Sequence, residues 1–161
     1  MMGARRAFVP FRQVDVSEKP VVYREATATG RIRLKRSTLD LIRKGGLEKG
    51  DPASLASVMA IMATKETPRV VALCHPLKIE RVEPKVKVAR DWVEVTVTVA
   101  THEKTGVEME ALTAVSIALL NVWDVVKAYE KDARGQYPTA SIESIRVTRK
   151  VKRKDEAPRK A

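Results

Sequence analysis

The sequence predicts an α+β protein, a ferredoxin-like βαββαβ sandwich whose antiparallel sheet is covered by helices on one face. Three observations predict it. Leu77 to Ala89 and Trp92 to Thr101 both alternate apolar and polar residues, the period of half-buried strands, and Arg90-Asp91 between them makes a tight hairpin connection. Helical signals lie on both sides of that hairpin, and a further alternating segment stands near each end of the chain. The resulting order of strand, helices, strand, strand, helix, strand is that of a split βαβ sandwich.

Residues 1–18 show no sustained periodicity and contain Pro10, so an irregular N-terminal arm is expected ahead of one domain over 19–151. Ala26 to Lys35 sets Ile32 and Leu34 among basic residues and reads as the first strand. Ser37 or Thr38 caps a short helix through Lys44, ended by Gly45 and Gly46. Asp51-Pro52 is a strong helix start: the acid accepts free amides of the first turn, and proline lacks an amide where none is needed. That helix should run to about Lys65, followed by a second short one from Thr67-Pro68 to near Leu73. Pro84 cannot donate to a ladder, so the first hairpin strand belongs at an edge or carries a bulge. Gly106 opens a long helix to Lys127, and Ser141 to Val151 forms the last strand before a basic tail, 152–161, expected to be mobile.

The long helix, GVEMEALTAVSIALLNVWDVVK, is apolar on almost every side and should be largely buried. The second face of the sheet is also read as partly apolar. A sheet with no second helical layer and a mostly apolar long helix would bury that surface against another copy, so a homo-oligomer is expected.

At 161 residues the chain suits a single domain with a proper core. No run of 18 apolar residues is present, and MMGARRAFVPFRQ lacks the apolar centre of a signal peptide, so no membrane association is expected. The one cysteine, Cys74, excludes an intramolecular disulfide framework and makes the cytoplasm the expected compartment. Charged residues at 32%, with one Asn and two Gln, lean towards a heat-adapted source. The net charge is +11, and from Arg146 onward eight Lys and Arg stand against Asp155 and Glu156. Such a surplus favours polyanions, either nucleic acid or a small phosphorylated ligand.

Four charged residues on the long helix raise the question of function. Glu108 and Glu110 fall in its first turn, where the helix dipole favours carboxylates. Asp124 and Lys127 are three apart on one face; they form an ordinary surface pair or, in a cleft, a proton-transfer or anion-binding pair. Glu110 and Asp124 lie fourteen positions apart, about 21 Å along the axis, so one small site needs either a long ligand or a second subunit to use both. Lys49-Gly50-Asp51 places an ammonium just before a helix start, a plausible anion site beside a solvated-turn reading. Cys74-His75-Pro76 is either a buried thiol beside a hydrogen-bonded imidazole or part of a reactive site. A metal centre is not expected, since His102 is the only other histidine and no CxxC or HxxxH spacing occurs. An RNA module is disfavoured by an aromatic content of 4%.

Several stretches together resemble the MoaC family, the cyclic pyranopterin monophosphate synthases of molybdenum cofactor biosynthesis. They are VDVSEKPVVYREATATG (14–30), KGD (49–51), VMAIMATKET (58–67), LCHPL (73–77), TGVEMEALTAVSIALL (105–120) and WDVVKA (123–128). The resemblance implies a lyase that rearranges a 3′,8-cyclised GTP intermediate to the pyranopterin ring, forms a cyclic phosphate and releases pyrophosphate. It implies a hexamer built as a trimer of dimers, with sites at the dimer interface and no cofactor beyond a Mg²⁺ that accompanies the triphosphate. By matched motif, Asp124 and Lys127 are the proton-transfer pair and Lys49 a further essential cation. Leu73, Cys74, His75, Met109 and Glu110 line the substrate pocket, assisted by Glu108 and Lys19. Where the family carries a glycine-rich KSGGKSG segment, this chain keeps Lys150 and Lys154 and loses the glycines. An inactive or substrate-binding family member is the alternative reading.

Overall fold

The computed structural model describes residues 10–154. The chain forms β1 (Val22–Arg33), α1 (Arg36–Lys44), α2 (Pro52–Val70), β2 (Arg81–Val88), β3 (Trp92–Glu103), α3 (Glu108–Glu130) and β4 (Ser141–Arg153). The sheet order is β2-β3-β1-β4 with every neighbouring pair antiparallel, the βαββαβ arrangement expected. Pro84 lies on β2, an edge strand, as its missing amide requires.

The core lies between the sheet and the helices. Val93, Val95, Val97 and Val99 of β3 face inward and are fully buried, each worth about 1.5–3 kcal/mol relative to exposure. Ala26, Ala28 and Ile32 of β1 share that face and meet Ala111, Val115 and Leu119 of α3 in the same cluster. Gly30 sits where α3 comes closest: an added Cβ would stand 2.8 Å from Val115 Cγ1 and 2.9 Å from Ile145 Cγ1. Helix α3 is long and apolar enough to cross a membrane, and half of its most apolar stretch is buried within the fold.

β1 starts at Val22, four residues ahead of the expected Ala26, and its inward register takes in Arg24. Its buried guanidinium donates from Nε to Glu103 O (3.4 Å) and from an Nη to Lys104 O (3.0 Å), so the charge closes the end of β3 instead of reaching water. Neither Ser37 nor Thr38 caps α1. Lys35 occupies the cap position, and its backbone amide donates to the fully buried Glu130 carboxylate at 3.0 Å. Asp51 caps α2 as expected, accepting from Ala53 N (3.1 Å) and Ser54 N (3.0 Å).

The two helices expected over 52–73 are one, running through Pro68 to Val70. Proline removes the amide that would meet the Thr64 carbonyl, but the Thr67 hydroxyl donates to that carbonyl at 3.1 Å, so the break costs little.

The second face of the sheet is not apolar. Thr27 and Thr29 of β1 hydrogen-bond Thr98 and Thr96 of β3 across the strands, flanked by Arg31, Glu94, Lys85 and Arg149. Glu25 on that face is buried and held by Arg81 (2.7 Å), Arg149 (2.8 Å) and the Tyr23 hydroxyl (2.7 Å). The Tyr23 and Trp92 rings are covered by the guanidiniums of Arg153 and Arg31, at 4.8 and 4.9 Å from the ring centroids. Exposed apolar side chains cluster instead on α2, at Leu55, Val58, Ile61, Met62 and Val70. The sheet half of the premise for self-association is therefore corrected: the exposed apolar surface lies on the helical layer.

Residues 10–16 have no helix or strand, and a turn follows at 17–19. β4 continues to Arg153, pairing with Tyr23, so the first two residues assigned to the tail are strand. Residues 1–9 of the arm and 155–161 of the tail lie outside the described residues.

Candidate active site

Helix α3 carries one group of candidate residues at each end. At its N-terminal end the loop after α2 folds against the first turn, and together they line a cleft of about 330 Å³. Its walls include Leu73, Cys74, His75, Glu108, Met109 and Glu110. The loop is pinned by the arm, whose Gln13 amide donates to Cys74 O at 2.9 Å, and by Cys74 N donating to Val71 O at 3.0 Å. Lys19 ends the turn just before β1 and donates its backbone amide to Val16 O. That turn is tied to the loop after β3, since Lys104 Nζ donates to Ser17 O at 2.8 Å.

Three features of this cleft bear on chemistry. Glu110 is buried, and burial raises its carboxyl to about 7, with Glu108 nearby adding in the same direction. Lys150 of β4 reaches across and pairs with Glu108. Burial also raises the Cys74 thiol, and the Glu110 charge adds to this, so Cys74 is held away from the thiolate form. A nucleophilic thiol is thus not what the surroundings favour; an acid that exchanges protons near neutrality is.

At the C-terminal end Asp124 stands between two lysines. Its Oδ1 meets Lys127 Nζ at 2.7 Å and its Oδ2 meets Lys49 Nζ at 2.8 Å, and Lys49 also donates to Asp124 O at 3.1 Å. The hydrogen bonds from Lys127 and then Lys49 hold the Asp124 carboxyl at about 2. The same pairing raises the Lys127 ammonium. All three side chains are about half exposed. Two ammoniums on one carboxylate leave a net positive, solvent-facing cluster, ready for an anion.

The structure therefore brings Lys49 to Asp124 and Lys127, and gathers Leu73, Cys74, His75, Glu108, Met109, Glu110 and Lys150, but keeps the two groups at opposite ends of α3. Lys154 follows the end of β4 and is exposed. Among the described residues no three His, Cys, Asp or Glu side chains converge as a metal site. The sequence reading missed the Lys150–Glu108 pair, the Gln13 tie and buried Arg24. A charge in the inward register of an otherwise apolar strand was the available signal for Arg24; the other two contacts join distant segments and leave no local trace.

Residues 13–153 match the model of the MoaC family. The chain is 57% identical over 141 residues to a protein of Aeropyrum pernix named "Probable cyclic pyranopterin monophosphate synthase", covering 88% of this chain and 95% of that one. A Thermococcus kodakarensis protein of the same name is 50% identical over 88% of this chain and 90% of its own. A Methanothermobacter thermautotrophicus protein, 49% identical over 88% and 89%, is named "Probable cyclic pyranopterin monophosphate synthase accessory protein".

Proposed function

The chain belongs to the MoaC family, and from that premise we propose that it is a cyclic pyranopterin monophosphate synthase acting in the cytoplasm. It takes the 3′,8-cyclised GTP intermediate, rearranges it to the pyranopterin ring, closes a cyclic phosphate and releases pyrophosphate. The observation that carries this reading is the Lys49–Asp124–Lys127 cluster, a preset pair of cations on one carboxylate.

A triphosphate needs cations where pyrophosphate leaves, and ring opening and reclosure need groups that accept and return protons. Lys49 and Lys127 hold the phosphates, with Asp124 keeping both ammoniums charged and placed. Glu110, neutral and ionised in comparable amounts near pH 7, moves protons at the ring, beside His75. Lys19, Lys150 and Lys154 supply further positive charge to the bound phosphates. Any Mg²⁺ arrives with the triphosphate and is part of the substrate.

The two ends of α3 serve one substrate only if a second copy brings its C-terminal cluster to the first copy's cleft. The enzyme is accordingly a homo-oligomer with sites between protomers, a hexamer made as a trimer of dimers. The name of the Methanothermobacter relative favours a second reading, a substrate-binding member without turnover. One assay separates them: with the cyclised intermediate supplied, wild type forms pyranopterin and pyrophosphate and Lys127→Ala does not. Tight binding without product from wild type selects the second reading.

A further inference from the structure

Lys49 sits in a short loop whose backbone is fixed on both sides. After it, Gly50 adopts φ 93° and donates to Leu47 O at 3.1 Å, and Asp51 begins α2. Before it, Leu47 is buried, and the backbone amide of Glu48 donates to the Tyr129 hydroxyl at 3.0 Å. Tyr129 projects from the last turn of α3, on the same helix as Asp124 and Lys127, and its ring packs against the core. Its carbonyl, with that of Lys131, is in turn held by Lys35 Nζ at 3.3 and 3.0 Å.

We propose that Tyr129 is a positioning residue for Lys49: its hydroxyl fixes the Glu48 amide to α3 and so sets the Lys49 ammonium against Asp124. The inference rests on the reading of Lys49 and Asp124 as part of the reaction site. The reach of a lysine is several rotatable bonds, so where its ammonium stands depends on how firmly its Cα is held. The hydroxyl ties that Cα to the helix carrying the two partners, making the three charged groups one rigid unit. Glu48 is exposed, and water satisfies its amide once the hydroxyl is gone; the fold survives and the loss falls on the placement of Lys49.

The test is Tyr129→Phe, which keeps the ring, alone and combined with Lys49→Ala. The first readout is the titration of the Asp124 carboxyl by NMR, which needs no turnover. It should move upward in Tyr129→Phe, by less than in Lys49→Ala, and Tyr129→Phe should add nothing to Lys49→Ala. The second readout is kcat on the cyclised intermediate, expected to fall about three- to tenfold in Tyr129→Phe, the range of one ordinary hydrogen bond. An Asp124 titration unchanged by Tyr129→Phe overturns the proposal, as does a kcat that Tyr129→Phe leaves at the value of an active wild type. A wild type without turnover removes the reaction reading and leaves the Asp124 titration to decide whether Tyr129 positions Lys49.

Discussion

Lys49 and Asp124 lie 75 positions apart in the chain and meet at 2.8 Å, with the second oxygen of the same carboxylate given to Lys127. One carboxylate thereby organises two ammoniums from two elements. Its removal has effects that neither lysine deletion alone produces.

Asp124→Asn leaves Lys49 and Lys127 facing each other without the charge that holds them. Turnover of the cyclised intermediate should fall by about a hundredfold or more, on the scale of losing positioned electrostatic stabilisation where charge develops. The Lys127 ammonium should titrate lower than in wild type, read by side-chain NMR, because Asp124 is what raises it.

Mixing two inactive variants tests whether sites are shared. Lys127→Ala lacks the C-terminal cluster and Glu110→Gln lacks the cleft acid, so a mixed dimer contains one intact site. After subunit exchange, activity should recover to about a quarter of wild type, half the dimers being mixed with one working site in two. No recovery in a verified mixture places both groups in one protomer.

Glu110 gives the fold a definite pH dependence. Its carboxyl stands at about 7 in the fold against 4.5 for an ordinary glutamate, so between these values the folded chain binds the extra proton. Its contribution is fully present below pH 4.5 and is lost as pH rises through 7, an effect of up to about 3 kcal/mol at about 1.4 kcal/mol per unit. Denaturant unfolding from pH 4.5 to 8 should show wild type losing stability relative to Glu110→Gln.

Gly30→Ala should destabilise by about 1–3 kcal/mol, since the methyl would crowd Val115, Ile145 and Leu119 together. The measurement is the denaturant midpoint, with the slope unchanged.

Thr67→Val should cost about 1–3 kcal/mol by stranding the Thr64 carbonyl beside Pro68. Replacing Pro68 by Ala in the same chain should recover most of that loss, because an amide returns to the carbonyl. Thermal unfolding of the single and double variants decides it.

The sequence by itself determined the order of strands and helical segments and the fold class. Alternation over Trp92 to Thr101 depends only on which side chains each strand face buries, and the Asp51 cap acts within three residues, so both were legible locally. The same locality misled at Pro68 and at Arg24: what rescues the carbonyl is a neighbouring hydroxyl in a particular rotamer, and what satisfies the guanidinium lies on another strand. The resemblance pointed to Lys49, Asp124 and Lys127 as a set, but only the folded chain joined them, through a loop held by Leu47 and Tyr129. Burial of Glu110 and the charged second face of the sheet were likewise tertiary outcomes. Electrostatic environment and long-range pairing are set by which segments pack together, a property of the whole chain that no window of residues contains.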